Sequence, residues 1–306
     1  MTGITDEGPR AALGLGPTDL PTMCIAADAQ ANWAQRRHLL LLRAQITIPL
    51  VGIAIGAAAN LDESLAVLGV VAAVAAALLA ALRAIQRSSQ VERVWYESRA
   101  TAEEVKSLAW RYAVRGSPFD RPDQTEEEAD ELLIDELGKL ARDRQLLEPP
   151  DPFGEITPAM RALRNTERPS ARRDAYLNGR VDDQRAWYAH RARHDAAVAD
   201  RWDVGFFLLT GLAVVAGVLL AANPDLSDGL GPTVGLAAGS SGAVIGWVGS
   251  RRYSSLSRAY SVVATELSML EAVARHKDTP EEWVAFVDAV ERAIAREHMQ
   301  WRAARL

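Results

Sequence analysis

Four stretches of this chain contain no Asp, Glu, Lys or Arg: residues 44–61, 64–82, 204–222 and 229–250. Each is about as long as a helix needs to be to cross a hydrocarbon layer of roughly 30 Å. A soluble protein can bury one such run, but four in 306 residues are too many for a core of that size, so the chain reads as a four-span membrane protein. Bulk composition hides this. Charged residues make up 24% of the chain and the mean hydropathy is -0.06, as in many soluble proteins, because the charge is segregated along the sequence.

The runs are paired. "NLDES" (60–64) separates the first two and "NPDLSDG" (223–229) the last two, and neither turn holds a Lys or Arg. The opposite ends carry Arg36, Arg37, Arg43, Arg83 and Arg87 in the first pair, and Arg191, Arg193, Arg201, Arg251 and Arg252 in the second. The positive-inside rule then places both hairpin tips away from the cytoplasm and both termini in it, giving a multi-pass protein of the cell (inner) membrane. Residues 1–30 lack the basic start and apolar core of a cleavable signal and read as a flexible tail.

Within "GPTVGLAAGSSGAVIGWVGSRR" (231–252), three readings compete: a phosphate loop, a buried soluble helix and a membrane helix. A P-loop needs a Lys and a dinucleotide site needs G-x-G-x-x-G, and neither is present. The glycines recur instead at helical spacing, Gly231, Gly235 and Gly239, then Gly242 and Gly246, which makes a smooth stripe that lets membrane helices approach closely. Gly52 and Gly56 offer the same in the first run. Thr210, Thr233, Ser240 and Ser241 are the hydroxyls available to line a water path, although membrane Ser and Thr also bond to their own helix backbone.

Shifting the first pair by 164 residues lays Arg87 on Arg251, Tyr96 on Tyr260 and Ala100-Thr101 on Ala264-Thr265. The acidic turns overlap under the same shift, which argues for duplication. The expected organisation is a first two-span unit over 31–147, a linker over 148–180 and a second unit over 181–306. The fold class is all-α, two membrane hairpins with cytoplasmic helical extensions. Thr125 with Glu128 opens one extension as a capping box, and Thr279-Pro280-Glu281-Glu282 opens another. Trp283, Phe286, Val287, Val290, Ile294 and Trp301 form an apolar stripe on the last helix, either packing within a cytoplasmic bundle or receiving a partner.

Chemistry is harder to find. His190 and His194 share a helical turn, but "HRARHD" is basic and repels a cation, so no metal site is expected. The lone Cys24 rules out an internal disulfide framework and a Cys-rich zinc site. Ser240-Ser241 has no G-x-S-x-G context. No catalytic residue and no cofactor is assigned, and an enzyme is not expected. A net charge of -6 argues against nucleic acid as a partner.

The order of basic helix, two spans with a short outward turn, and "VWYESRATAEEVKSLAWRYAVRGSPF" (94–119) resembles the SLATT family. These are the SMODS- and SLOG-associating two-transmembrane effector domains of bacterial conflict systems. The resemblance rests on Trp95, Arg99, Ala102, Glu103, Lys106, Trp110 and Tyr112, and in the second unit on Glu291, Glu297 and Trp301. It covers most of residues 30–306 as two fused copies. It implies an effector that oligomerises in the lipid bilayer and perforates it, with a defence-system sensor protein as a further partner. A membrane-anchored scaffold without a pore is the alternative. A small coupled transporter fits less well, because the spans hold no ionisable residue.

Overall fold

The computed structural model describes residues 14–59, 74, 77–78, 91–143, 156–274, 277 and 279–303. Every long element among them is a helix: α1 (Thr22–Ala59), α2 (Val91–Ala113), α3 (Glu126–Asp143), α4 (Pro158–Arg164), α5 (Pro169–Tyr176), α6 (Asp183–Ala222), α7 (Ser227–Arg251), α8 (Tyr253–Ala274) and α9 (Pro280–Ala303). A π-helical stretch, Leu177–Asp182, joins α5 to α6. The expected second span, 64–82, lies outside the described residues except at 74, 77 and 78, where the chain is helical and Val74 and Leu78 are exposed.

The chain divides into two compact units that cut across the sequence repeat. One gathers residues 1–34, 93–192 and 258–306, and the other residues 35–92 and 193–257. The first unit therefore takes the polar helices of both copies, and the second takes their apolar runs.

The first unit has an ordinary aqueous core. On α1, Met23, Ala27, Ala31 and Ala34 are buried along one face at helical spacing, with small side chains that permit close approach. On α2 the buried stripe is Ser98, Thr101, Ala102, Val105, Ala109 and Tyr112. α3 buries Ala129, Leu133 and Leu137. Its start is fixed by the expected capping box: Thr125 N donates to Glu128 Oε2 at 3.1 Å and Glu128 N to Thr125 Oγ1 at 3.1 Å. The same device opens α9, where Thr279 N meets Glu282 Oε2 at 3.3 Å and Glu282 N meets Thr279 Oγ1 at 3.2 Å.

Three differences from the sequence reading follow. Residues 158–180, read as part of a linker, are helical, and Met160, Leu163, Arg164, Ala175, Tyr176 and Arg180 are buried there; residues 148–155 lie outside the described set. Within the tail over 1–30, helix begins at Thr22 and Met23 and Cys24 are in the core, while residues 1–13 lie outside the described set. The third concerns register. Under the 164-residue shift buried Thr101 faces exposed Thr265, whereas 98, 101, 102, 105 and 112 map onto the buried residues 260, 263, 264, 267 and 274 by a shift of 162. The residues that align in the repeated motif thus do not all share the same burial.

The second unit is built differently. α6 and α7 lie antiparallel, as Thr210 contacts Ser241 and Trp202 contacts Trp247, one position falling as the other rises. The helical segments Thr22–Ile55 and Pro169–Ala222 are long and apolar enough to cross a membrane, and only 6% of each apolar window is buried. Phe207, Leu208, Val214, Val215 and Val218 are each more than half exposed. α7 does not run on into α8. Arg252 takes a left-handed conformation (φ 50°, ψ 36°) between them, which separates the apolar helix from the helix that follows.

Candidate functional site in the apolar hairpin and the buried ion cluster

The hydroxyls and glycines of the apolar unit occupy distinct environments. Thr210 Oγ1 donates to Ser241 Oγ at 3.3 Å across the hairpin, and Ser241 Oγ donates to Ala237 O at 2.9 Å within its own helix. Ser241 is buried, whereas Thr233 and Ser240 are half-buried. The structure thus joins two of the four hydroxyls singled out from sequence. Of the glycines, Gly239 alone among those described makes a close approach here: a Cβ placed on it would lie 2.6 Å from Ile53 Cδ1 of α1. Among the described residues nothing lies within 4 Å of where a Cβ would go on Gly52, Gly231, Gly235, Gly242 or Gly246. Gly56 belongs to α1 but lies outside the residues whose side chains are described.

At the Arg-bearing end of the hairpin, aromatic rings gather. The Trp202 and Trp247 rings are 6.3 Å apart. The Arg251 guanidinium lies 5.7 Å from the Trp247 ring and 5.3 Å from the Tyr253 ring, and its Nε donates to Tyr253 Oη at 3.1 Å. The opposite end, 223–229, has neither an aromatic nor a basic residue.

The polar unit holds the chain's most demanding electrostatics. Arg180, in the π-helical stretch, is 1% exposed and makes a forked pair with Glu291 of α9, which is 2% exposed: Nε to Oε1 is 3.1 Å and Nη2 to Oε2 is 2.8 Å. Tyr176 Oη donates to the same Oε1 at 2.9 Å. Glu103 Oε2 stands 3.7 Å from Arg180 Nη1, with Lys106 Nζ at 3.4 Å and Arg99 Nη2 at 3.3 Å from Glu103 Oε1. Burial alone would pull the Arg180 pKa down, but the Glu291 carboxylate outweighs it and holds the guanidinium charged. Burial, then the Glu291 charge, drives the Tyr176 phenol well above its usual range. Gly179 next to Arg180 lets Trp110 approach, its Cζ and Cη atoms meeting any added Cβ at 3.0–3.5 Å. Glu103, Lys106 and Glu291 carry the family resemblance, and the structure brings them to one point. Arg180 was not singled out, because an Arg after a Gly in an Arg-rich stretch reads as a solvated connector.

The last helix turns its apolar stripe inward. Trp283, Phe286, Val287, Val290 and Ile294 are buried within the polar unit, and Trp283 Nε1 donates to Val114 O at 3.1 Å. Tyr176 meets Trp283 and Phe286 edge-on at 5.7 Å and 6.4 Å. Trp301 lies outside the residues whose side chains are described. A second buried cation, Arg164, donates to Tyr112 O at 3.0 Å at the end of α2 and to Glu126 Oε2 at 2.9 Å, with its guanidinium 4.8 Å from the Tyr112 ring. It supplies positive charge where the helix dipole is negative. Cys24 is buried, its Sγ 3.5 Å from Ala102 O, and desolvation pushes the thiol up to about 12. Among the described residues no cluster of three His, Cys, Asp or Glu could hold a metal ion, and His194 contacts Asp195 at 3.0 Å.

Comparison with known proteins gives two matches. The model for SMODS and SLOG-associating 2TM effector domain 3 covers residues 21–173, and that for SMODS and SLOG-associating 2TM effector domain 1 covers residues 176–301. No curated protein and no solved structure matches the chain. Spanned by these two models in succession, the chain belongs to the SLATT family of conflict-system effector domains and carries two copies of the domain in tandem.

Proposed function

We propose that this protein is a membrane effector of a bacterial conflict system: four spans anchor it in the inner membrane, both termini lie in the cytoplasm, and copies assemble into a pore. The observation that carries the reading is the uncovered apolar surface of α6, where Phe207, Leu208, Val214, Val215 and Val218 stand open to their surroundings. Exposed patches of this kind are unfavourable in water and ordinary in lipid. The Thr210–Ser241 pair supplies polarity inside the hairpin, and the open glycine positions on α7 leave room for a neighbouring helix from another copy. Enzyme chemistry and nucleic acid have no part in this reading.

The test is leakage of a trapped dye from sealed liposomes containing the purified chain. Gly235→Leu is the informative variant, since nothing among the described residues occupies that space, whereas Gly239→Leu would strike Ile53. Wild type should leak dye, and Gly235→Leu should insert equally well but leak several-fold less. A wild type that inserts and stays sealed, with its activating signal supplied, would remove the pore from the proposal.

One observation favours the second reading, a membrane-anchored scaffold. On α8, Val262, Met269 and Val273 are exposed along one stripe with Thr265 and Ala272, bordered by Glu266, a surface suited to recruiting a helical partner. Polar substitutions along that stripe should cut partner recruitment and leave leakage unchanged if the scaffold reading holds.

A further inference from the structure

We infer that the Arg251–Arg252 end of the α6–α7 hairpin binds the phosphate of an anionic phospholipid, so that this membrane segment selects anionic over zwitterionic lipid. The inference rests on the membrane reading above. The hairpin is electrically polarised: 223–229 contains Asp225 and Asp228 and no Lys or Arg, whereas the other end carries Arg201, Arg251 and Arg252. Asp200 and Asp203 flank Arg201 and offset its charge, which leaves Arg251 and Arg252 as the positive focus. Neither has a carboxylate partner among the described residues. Arg251 is held instead by rings, 5.7 Å from Trp247 and 5.3 Å from Tyr253, and its Nε donates to the Tyr253 phenol oxygen at 3.1 Å.

That arrangement orients a guanidinium without neutralising it. Its remaining N–H groups present the planar fork that matches a phosphate. Arg252, exposed and left-handed, projects from the point where α7 ends. A second, independent observation points to the same layer. Trp202 and Trp247 occupy one level at the hairpin's basic end, as rings at a lipid–water boundary do.

The experiment reconstitutes the full chain in vesicles in which either phosphatidylglycerol or phosphatidylcholine carries brominated acyl chains, and reads tryptophan quenching as the relative association of each lipid. Wild type should prefer phosphatidylglycerol, with each arginine contributing roughly fivefold, and the preference should shrink as salt shortens the Debye length. Arg251→Gln and Arg252→Gln should each lose about that factor, and the double variant should approach no preference. Equal quenching by both lipids in wild type would overturn the headgroup assignment and leave the membrane reading standing. No quenching by either would remove the membrane reading itself. If free phosphate erased the preference at constant ionic strength, the site would belong to a soluble anion, and the lipid assignment would fall.

Discussion

The two units of this chain follow opposite burial rules. In one, a guanidinium, two carboxylates and a phenol are taken out of water and paired with one another, while Trp110 and Trp283 pack against the Tyr176 ring. In the other, most of the large apolar side chains on α6 are left uncovered, and Thr210 meets Ser241 across the hairpin. Both are helical and both come from the same duplicated sequence. The difference teaches that helix propensity alone does not distinguish the two units; the placement of charge does. The polar unit pairs its buried ions, whereas residues 204–222 and 229–250 of the other carry no ionisable side chain.

The largest expected effect breaks the polar unit. Glu291→Ala leaves Arg180 charged and enclosed, which costs about 3–5 kcal/mol; thermal or denaturant unfolding of the purified chain should report that loss. Replacing Arg180 and Glu291 together with Met and Leu should recover much of it, because no isolated charge remains. The second prediction sharpens the contrast. Val214 is 59% exposed, so Val214→Asp should be nearly neutral if its surroundings are water. In lipid the same change costs about 2.5–3.5 kcal/mol at a helix centre and should impair insertion, measured by carbonate extraction of membranes.

Smaller effects follow. Thr279→Ala removes the reciprocal cap of α9 and should cost about 1 kcal/mol, with Thr125→Ala doing the same for α3. Equal losses would show the two capped helices doing equal work in the unit. The smallest should come from Thr210→Val: a hydrogen bond between membrane helices averages about 0.6 kcal/mol, so stability should barely move. A leakage rate that nonetheless falls in that variant would mark the hydroxyl as part of a water path.

Much of this organisation was legible in the residues, for stated reasons. Charge-free runs and capping boxes are local signals, so the helices at Glu126 and Pro280 begin where Thr125 and Thr279 say they should. The duplication was legible because its two halves retain matching turns and motifs. Other features depend on contacts between distant residues. Arg164 and Arg180 look like surface residues until Glu126 and Glu291 arrive from 38 and 111 positions away. Residues 158–180 look like a connector because their stability comes from what they pack against, not from their own pattern. The repeat register was misleading for packing because the recurring Y-x-x-x-A-T motif lies partly on exposed surface, as Thr265 shows.

The pairing of Arg180 with Glu291 also sets a timetable. Those 111 positions include the apolar part of α6 and all of α7, so the acid leaves the ribosome after the hairpin has been made. At roughly 5–20 residues per second of synthesis, the delay is on the order of 5–20 s. Throughout it, Arg180 and Tyr176 wait in water without the carboxylate that will enclose them. Trp283, Phe286 and Val290 arrive on the same late helix, so the polar core cannot be complete until the apolar hairpin has been made. A nascent chain halted before residue 280 would already hold every apolar stretch while lacking the helix that completes its water-facing half.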